Sequence, residues 1–227
     1  SMGAGDEPQK SDMHHLFPCR SNVNSSRGND PFAEISDEET DKWYRDDYYL
    51  TTIPEEYIDE YAEKLNHFDE RFEPREDHKG NTARAMFYFN AIYNDVADQS
   101  FWDLQKDDLL DWNYLDEVDP EEVERTWEIA SYQDNPNPFV LDNSLALRIW
   151  FEEQIVYGCT DPSSPNYNPD ANIDNGTCVN LLGDLNNDSE VDILDIVMMV
   201  DWILSSHIPT YYQLNAGDLS GDGTIDV

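Results

Sequence analysis

His14 and His15, followed by Asn24 and Arg27, place two imidazoles, an amide oxygen and a guanidinium in one short stretch of the chain. Hydrolysis of a phosphodiester asks for groups of this kind. A base must deprotonate water. A hard cation must neutralise charge on the phosphate oxygens and the leaving oxygen. Cationic or amide donors must hold the phosphate in line. An asparagine carbonyl is a hard oxygen ligand suited to Mg²⁺, Mn²⁺ or Ca²⁺. A second concentration is Lys79 with Arg84, flanking the start of an expected helix, where amide donors and the dipole favour anions. Both are candidate phosphate contacts, or else ordinary ion-pair partners of Glu73 or Glu76. A third is the run from Asp184 to Asp195. Oxygen ligands fall at positions 1, 3, 5, 9 and 12 of a calcium loop, at Asp184, Asn186, Asp188, Asp192 and Asp195, with the Glu190 backbone at position 7. Position 6 is Ser189 rather than Gly, and the closing residue is Asp rather than Glu.

These groups need elements to hold them. Ser11 to Pro18 reads as a short strand carrying both histidines, followed by a turn and the start of a helix carrying Asn24 and Arg27. Successive side chains on a strand point to opposite faces. The two histidines therefore do not bind one metal together: one faces the site and the other packs or hydrogen-bonds. A helix is expected from Glu55, with Pro54 near its first position and Ile58, Tyr61, Ala62 and Leu65 as its apolar stripe. Another opens near Asn81, with Ala85, Phe89, Ile92, Tyr93 and Val96 as a buried face. Shorter helices are expected around 101–111, 120–131 and 143–153, with a turn-rich break at 131–138. A boundary falls near Tyr157-Gly158, giving segments 1–156, 157–179 and 180–227.

The chain has 227 residues and a formal net charge of −37, from 50 Asp and Glu against 13 Lys and Arg. Six Trp, 13 Tyr and 9 Phe point to a folded acidic protein rather than a disordered one. Such a charge excludes a protein that clings to nucleic acid through a broad basic surface, because that binding needs Lys and Arg to displace counterions. It leaves room for a local cationic site working with a metal in saline surroundings, where screening is strong. Cys159 and Cys178 bracket a loop-rich segment and suggest a disulfide in an oxidising, extracellular setting. No apolar run is long enough to span a membrane.

The run Ser11-Asp12-Met13-His14-His15-Leu16-Phe17-Pro18 with Asn22-Val23-Asn24-Ser25-Ser26-Arg27-Gly28-Asn29 resembles the endonuclease I family of secreted, non-specific nucleases, within the wider His-Me finger group. Further matching stretches are Phe72-Glu73-Pro74-Arg75, His78 to Phe89, Leu110-Asp111-Trp112, Asp119-Pro120, Glu124-Arg125 and Gln133 to Val140. The resemblance runs from about residue 9 to 151 and omits much of the acidic, aromatic stretch 36–72. It implies that Asn24 is a helix-borne metal ligand and that Arg27 reaches a phosphate or braces the finger. It also implies a Glu-His pair upstream of this motif as second ligand and general base. That pair is expected to precede Ser1, so the chain is expected to lack the first finger strand, the base and one metal ligand.

Two C-terminal stretches carry resemblances of their own. Gly158 to Cys178 is similar to a short cysteine-closed repeat of secreted bacterial proteins; its Asp and Asn residues suit calcium or simply turns. Asp184 to Asp195 followed by Ile196 to Leu204 resembles a type I dockerin repeat. Gly183-Asp184-Leu185-Asn186 recurs as Gly217-Asp218-Leu219-Ser220. This second copy offers Asp218, Ser220, Asp222, Thr224 and Asp226, and it runs to Val227 without a position 12. Dockerins pair with cohesins, which implies a cohesin-like or cell-surface partner.

The expectation is an α+β protein, with the remnant of a ββα-metal finger supported by several helices and a small calcium-loop helical module. Its expected function is that of a secreted, Mg²⁺- (or Mn²⁺- or Ca²⁺-) dependent endonuclease cutting DNA or RNA to 5′-phosphate ends, inactive as this fragment. The rival is a non-catalytic, calcium-stabilised extracellular anchoring protein with a vestigial nuclease domain.

Overall fold

Asp12 and Pro18 shape the first functional segment. The Asp12 carboxylate accepts the backbone N–H of His14 at 2.9 Å, closing a single 3-10 turn over Met13–His15. The histidines therefore lie on a turn, not on the expected strand. Asp12 competes for the backbone locally, and among the described residues no strand pairs with Met13–His15. Helix α1 (Ser21–Arg27) follows and ends at Gly28, whose φ of +57° suits glycine. The computed structural model describes residues 3, 5–67, 69–162, 164, 166–178, 182–186, 188, 190–205, 211–218 and 225.

The acidic, aromatic stretch builds an antiparallel sheet of order β2-β1-β3-β4. Its strands are β1 (Lys42–Arg45), β2 (Tyr48–Leu50), β3 (Ala62–Leu65) and β4 (Arg71–Glu73). The helix expected from Glu55 is absent. Tyr57 adopts a left-handed conformation at φ +57°, one 3-10 turn covers Ile58–Glu60, and the chain then enters β3. The 3.6-residue spacing of Ile58, Tyr61, Ala62 and Leu65 was coincidental. β3 is flanked by strands on both sides, and Ala62, Glu63 and Lys64 are all buried, a placement that a periodicity count cannot distinguish from a helix.

Seven helices complete the first unit together: α1, α2 (Lys79–Ile92), α3 (Gln99–Asp103), α4 (Lys106–Leu115), α5 (Pro120–Gln133), α6 (Pro138–Leu141) and α7 (Leu145–Trp150). α2 runs through the middle, buried on nearly every side from Lys79 to Asn90. Phe87 anchors the aromatic core, with ring centroids 5.7 Å from Trp102, 5.7 Å from Phe139 and 5.3 Å from Trp150. The helix ends at Ile92, so Ile92 and Val96 are exposed rather than part of the expected buried face. The Asp-Pro and Asn-Pro motifs are helix starts. Asp119 caps α5 by accepting the Glu122 N–H at 2.7 Å, and Asn137 caps α6 by accepting the Phe139 N–H at 3.0 Å. Pro120 and Pro138 occupy first-turn positions where no donor is needed.

The chain divides into two units, Ser1–Trp150 and Phe151–Val227. In the second, β5 (Tyr157–Gly158) pairs in parallel with β6 (Ile173–Asp174), and Cys159 is disulfide-bonded to Cys178. Helices α8 (Ile193–Ser205) and α9 (Tyr211–Gly217) follow. The architecture is α+β.

Candidate active site

A cavity of about 780 Å³ opens beside the 3-10 turn, α1, the sheet and α2. Among the residues that line it are His15, Asn24, Arg27 and His78. The two neighbouring histidines are separated by their surroundings. His14 is buried; its ring lies 4.7 Å from that of Tyr88, and its Nε2–H donates 2.7 Å to the Asn135 carbonyl. Burial pulls its pKa below the ordinary histidine value, so it is a neutral structural ring. His15 is half-buried at the cavity. Its Nε2–H donates 2.7 Å to the Gln9 carbonyl. Its ring stands edge-on to Phe89 at 5.0 Å.

The turn that carries them is held by buried polar contacts. Asp12 accepts from Tyr88 at 2.9 Å, Tyr93 at 2.6 Å and Gln133 at 2.9 Å. Burial alone would raise its pKa, but these donors outweigh it and hold the carboxyl below its ordinary range.

Asn24 is exposed on α1, and among the described residues no hydrogen bond engages its side-chain amide. Arg27 lies over the Phe32 ring at 4.2 Å, and its Nε is buried without a partner among the described residues. Burial lowers its pKa, opposed by the charge of Asp30.

Charge is distributed unevenly around this cavity. Lys10, Arg20, Arg27, Arg45 and Arg75 line it, against only Asp46 and Glu60. Five of 13 cations thus meet two of 50 carboxylates. Several of these cations sit in exposed ion pairs: Arg20 with Asp47 at 2.6 Å and Asp46 at 3.1 Å, Arg45 with Glu60, and Arg75 with Asp77 at 3.2 Å. Exposed pairs are weak and can be exchanged for a phosphate. Arg20, Arg45, Arg75 and His78 carried no expected role. Arg75 and His78 do lie in a motif matching the family, which was the available signal.

Lys79 and Arg84 do not line the cavity; both are buried and serve the fold. The Lys79 ammonium sits among Glu34 at 2.8 Å, Glu73 at 2.8 Å and Glu76 at 2.7 Å. Those three carboxylates have the spacing of a metal site, but the ammonium already supplies the cation, so the cluster does not suit a metal. Arg84 grips Glu122 through Nε at 2.9 Å and Nη2 at 2.6 Å, and donates 2.9 Å to the Asp116 carbonyl. Gly80 permits this: a Cβ there would lie 2.0 Å from that carbonyl. Both cations are therefore corrected from phosphate contacts to internal ion pairs.

Glu63 and Glu73 face each other across β3 and β4. Burial pushes Glu63 up to about 8, with the charge of Glu73 adding to it and the Thr40 hydroxyl at 2.6 Å opposing. Glu73 rises to about 7, also through burial, despite Lys79.

In the second unit the acidic loop is wound around Asp195. Its carboxylate is buried and accepts from the backbone N–H groups of Leu185 and Asp192, each at 2.8 Å, and of Asn186 at 3.2 Å. Asp184 accepts from Asp188 N–H at 3.2 Å, Asp188 from Glu190 N–H at 2.9 Å, and Asp192 caps α8 through Leu194 N–H at 2.7 Å. Asp218 follows α9. Ser189 and the candidate ligands Ser220, Asp222, Thr224 and Asp226 lie outside the described residues.

The family model for endonuclease I matches residues 1–144. The chain belongs to the endonuclease I family. Residues 182–227 match the model of the dockerin type I domain. Two similar proteins are both named extracellular ribonuclease. One, from Bacillus subtilis (strain 168), is 32% identical over 155 residues, covering 61% of this chain and 46% of the relative. The other, from Bacillus amyloliquefaciens, is 31% identical over the same length, with the same coverage. The chain spans about half the length of these relatives. No solved structure gives a significant match. No helix among the described residues is long and apolar enough to cross a membrane.

Proposed function

We propose that the first unit is the phosphate- and cation-holding part of a secreted, metal-dependent endonuclease that hydrolyses DNA or RNA to 5′-phosphate ends. The pooling of five cations beside Asn24 in a chain of charge −37 carries this reading. Asn24 would hold a Mg²⁺, Mn²⁺ or Ca²⁺ ion, a fit supported by its unengaged amide oxygen. Such an ion supplies charge neutralisation at the phosphate. Arg27, with Arg20, Arg45 and Arg75 around it, would hold the phosphate oxygens in line. No Glu-His pair occurs in these 227 residues. By the family resemblance the base belongs to such a pair, and His15 braces the site through its bond to Gln9.

Names of relatives, family membership and the disulfide support secretion. The second unit would bind Ca²⁺ through Asp184, Asn186, Asp188, the Glu190 backbone, Asp192 and Asp195. Its dockerin match supports a cohesin-type or cell-surface partner. The test is binding of a labelled oligonucleotide with and without Mg²⁺. The full chain should bind more tightly with Mg²⁺, and Asn24→Ala and Arg27→Ala should each weaken that binding about tenfold, the value of one charge-assisted contact. Binding indifferent to both substitutions would sink the proposal.

A further inference from the structure

The hairpin beside the cavity is aromatic where it meets solvent. Tyr48 is 45% exposed and Tyr57 62%. The Arg45 guanidinium carbon is 5.0 Å from the Tyr57 ring centroid and 5.7 Å from that of Tyr61. The Tyr48 and Tyr61 hydroxyls are 3.1 Å apart. Tyr57 holds a left-handed backbone at φ +57°. A bulky residue rarely adopts that region, and such strain concentrates where a side chain must be presented. Arg45 also lines the cationic cavity, so shelf and cavity are continuous. These residues fall in the stretch 36–72 that the family motifs largely omit.

We propose that Tyr57 and Tyr48, linked through Arg45 and Tyr61, form a stacking shelf for the bases of a single-stranded nucleic acid whose phosphates enter the cavity. The inference rests on the nucleic-acid reading of that cavity. Base faces stack on aromatic rings without regard to sequence, and an arginine among the rings adds a cation–π contact. A duplex keeps its base faces covered. Its second phosphate backbone would also meet Asp46, Asp47 and Glu60, which border the shelf and the cavity and carry exposed carboxylates. A single strand can turn its phosphates towards the arginines and its bases towards the tyrosines.

The experiment is fluorescence anisotropy on the full chain with a hydrolysis-resistant phosphorothioate oligonucleotide, single-stranded and as a duplex of equal length, in Mg²⁺. The single strand should bind about tenfold more tightly than the duplex. Tyr57→Ala should lose about tenfold on the single strand and leave the duplex unchanged, whereas Tyr57→Phe should bind as the wild type does; stacking losses of this size are typical. Wild-type affinity in Tyr57→Ala, equal losses on both forms, or Tyr57-dependent binding of a soluble oligosaccharide instead would overturn the shelf. Failure of the wild type to bind either nucleic acid would bring down the cavity reading as well. Tight binding that ignores Tyr57 would remove the shelf alone.

Discussion

The guanidinium of Arg125 donates to the carbonyl of Leu16 at 2.9 Å. The same Nη2 reaches the Met13 carbonyl at 2.7 Å, and the guanidinium covers the Phe17 ring at 4.3 Å. One side chain on α5 thus clamps both ends of the turn that carries His15. The Glu124-Arg125 motif has a structural reason that its position alone did not reveal.

Arg125→Ala should therefore loosen residues 13–17 before anything else. The expected cost is about 1–2 kcal/mol, for partly exposed bonds from a charged donor. Arg125→Lys should recover less than half, because an ammonium lacks the flat guanidinium face that covers the Phe17 ring. Thermal denaturation gives the total. Amide exchange localised to 13–17 checks the mechanism, and uniform loss of protection would contradict it.

Stability should fall as the pH rises through neutrality. The folded pKa of Glu63, about 8, and that of Glu73, about 7, lie above the ordinary carboxylate value. Between about pH 5 and 8 the folded chain then binds more protons than the unfolded one, and each unit of rise weakens folding. Glu63→Gln mimics the protonated form. It should raise Tm at pH 8 by several degrees and change it little at pH 5. A Tm difference independent of pH would show that Glu63 is not the titrating group. The groups that set this response are Thr40, Glu73, Asp37 and Lys79.

Arg84→Ala should be among the most damaging changes, at about 3–5 kcal/mol, because it strands the buried Glu122 carboxylate. Replacing both partners, as Arg84→Met with Glu122→Leu, should cost less than Arg84→Ala alone. Urea denaturation of the wild type and the two variants checks this. A double variant worse than the single one would mean that the Asp116 carbonyl contact, rather than the ion pair, dominates.

In the second unit, Asp195→Ala removes the acceptor for three backbone N–H groups at once. Helical signal from 193–205 should drop, and any gain of helix on adding Ca²⁺ should vanish with it, since metal and loop closure are coupled in modules of this kind. Circular dichroism under calcium titration and chelation is the measurement. A calcium response equal to that of wild type would exclude Asp195 from the loop's closure.

The helices were legible where caps and periodicity agreed. Asp119-Pro120 marks a true helix start and the aromatic residues of α2 lie in the core, whereas Asn137-Pro138, expected only as the end of a turn-rich break, starts the short α6. Legibility failed where tertiary pairing decided the outcome. Nothing local says that Ala62 to Leu65 will sit between two other strands, whereas the 3-10 turn that replaces the expected strand at Met13–His15 comes from a local contact, Asp12 taking the His14 amide. The site was half legible. Asn24 and Arg27, singled out through the family resemblance, both line the cavity. Lys79 and Arg84 were misjudged because a cation near a helix start reads the same from sequence whether it faces solvent or three carboxylates. Arg20, Arg45 and Arg75 could not be pooled in advance, since only folding brings them together.

The concentration of cations in one cavity has a kinetic meaning. Nearly all of the remaining surface repels a polyanion, so a long strand that touches the protein anywhere but this mouth is pushed away. On the nucleic-acid reading proposed above, the usual sliding of basic proteins along nucleic acid would have no counterpart here. Each encounter would be a separate visit, and a shortened product that no longer filled the cavity would be expelled by the field around it. Such a molecule would stay mobile in a matrix rich in nucleic acid, leaving its tethering to other parts of the chain.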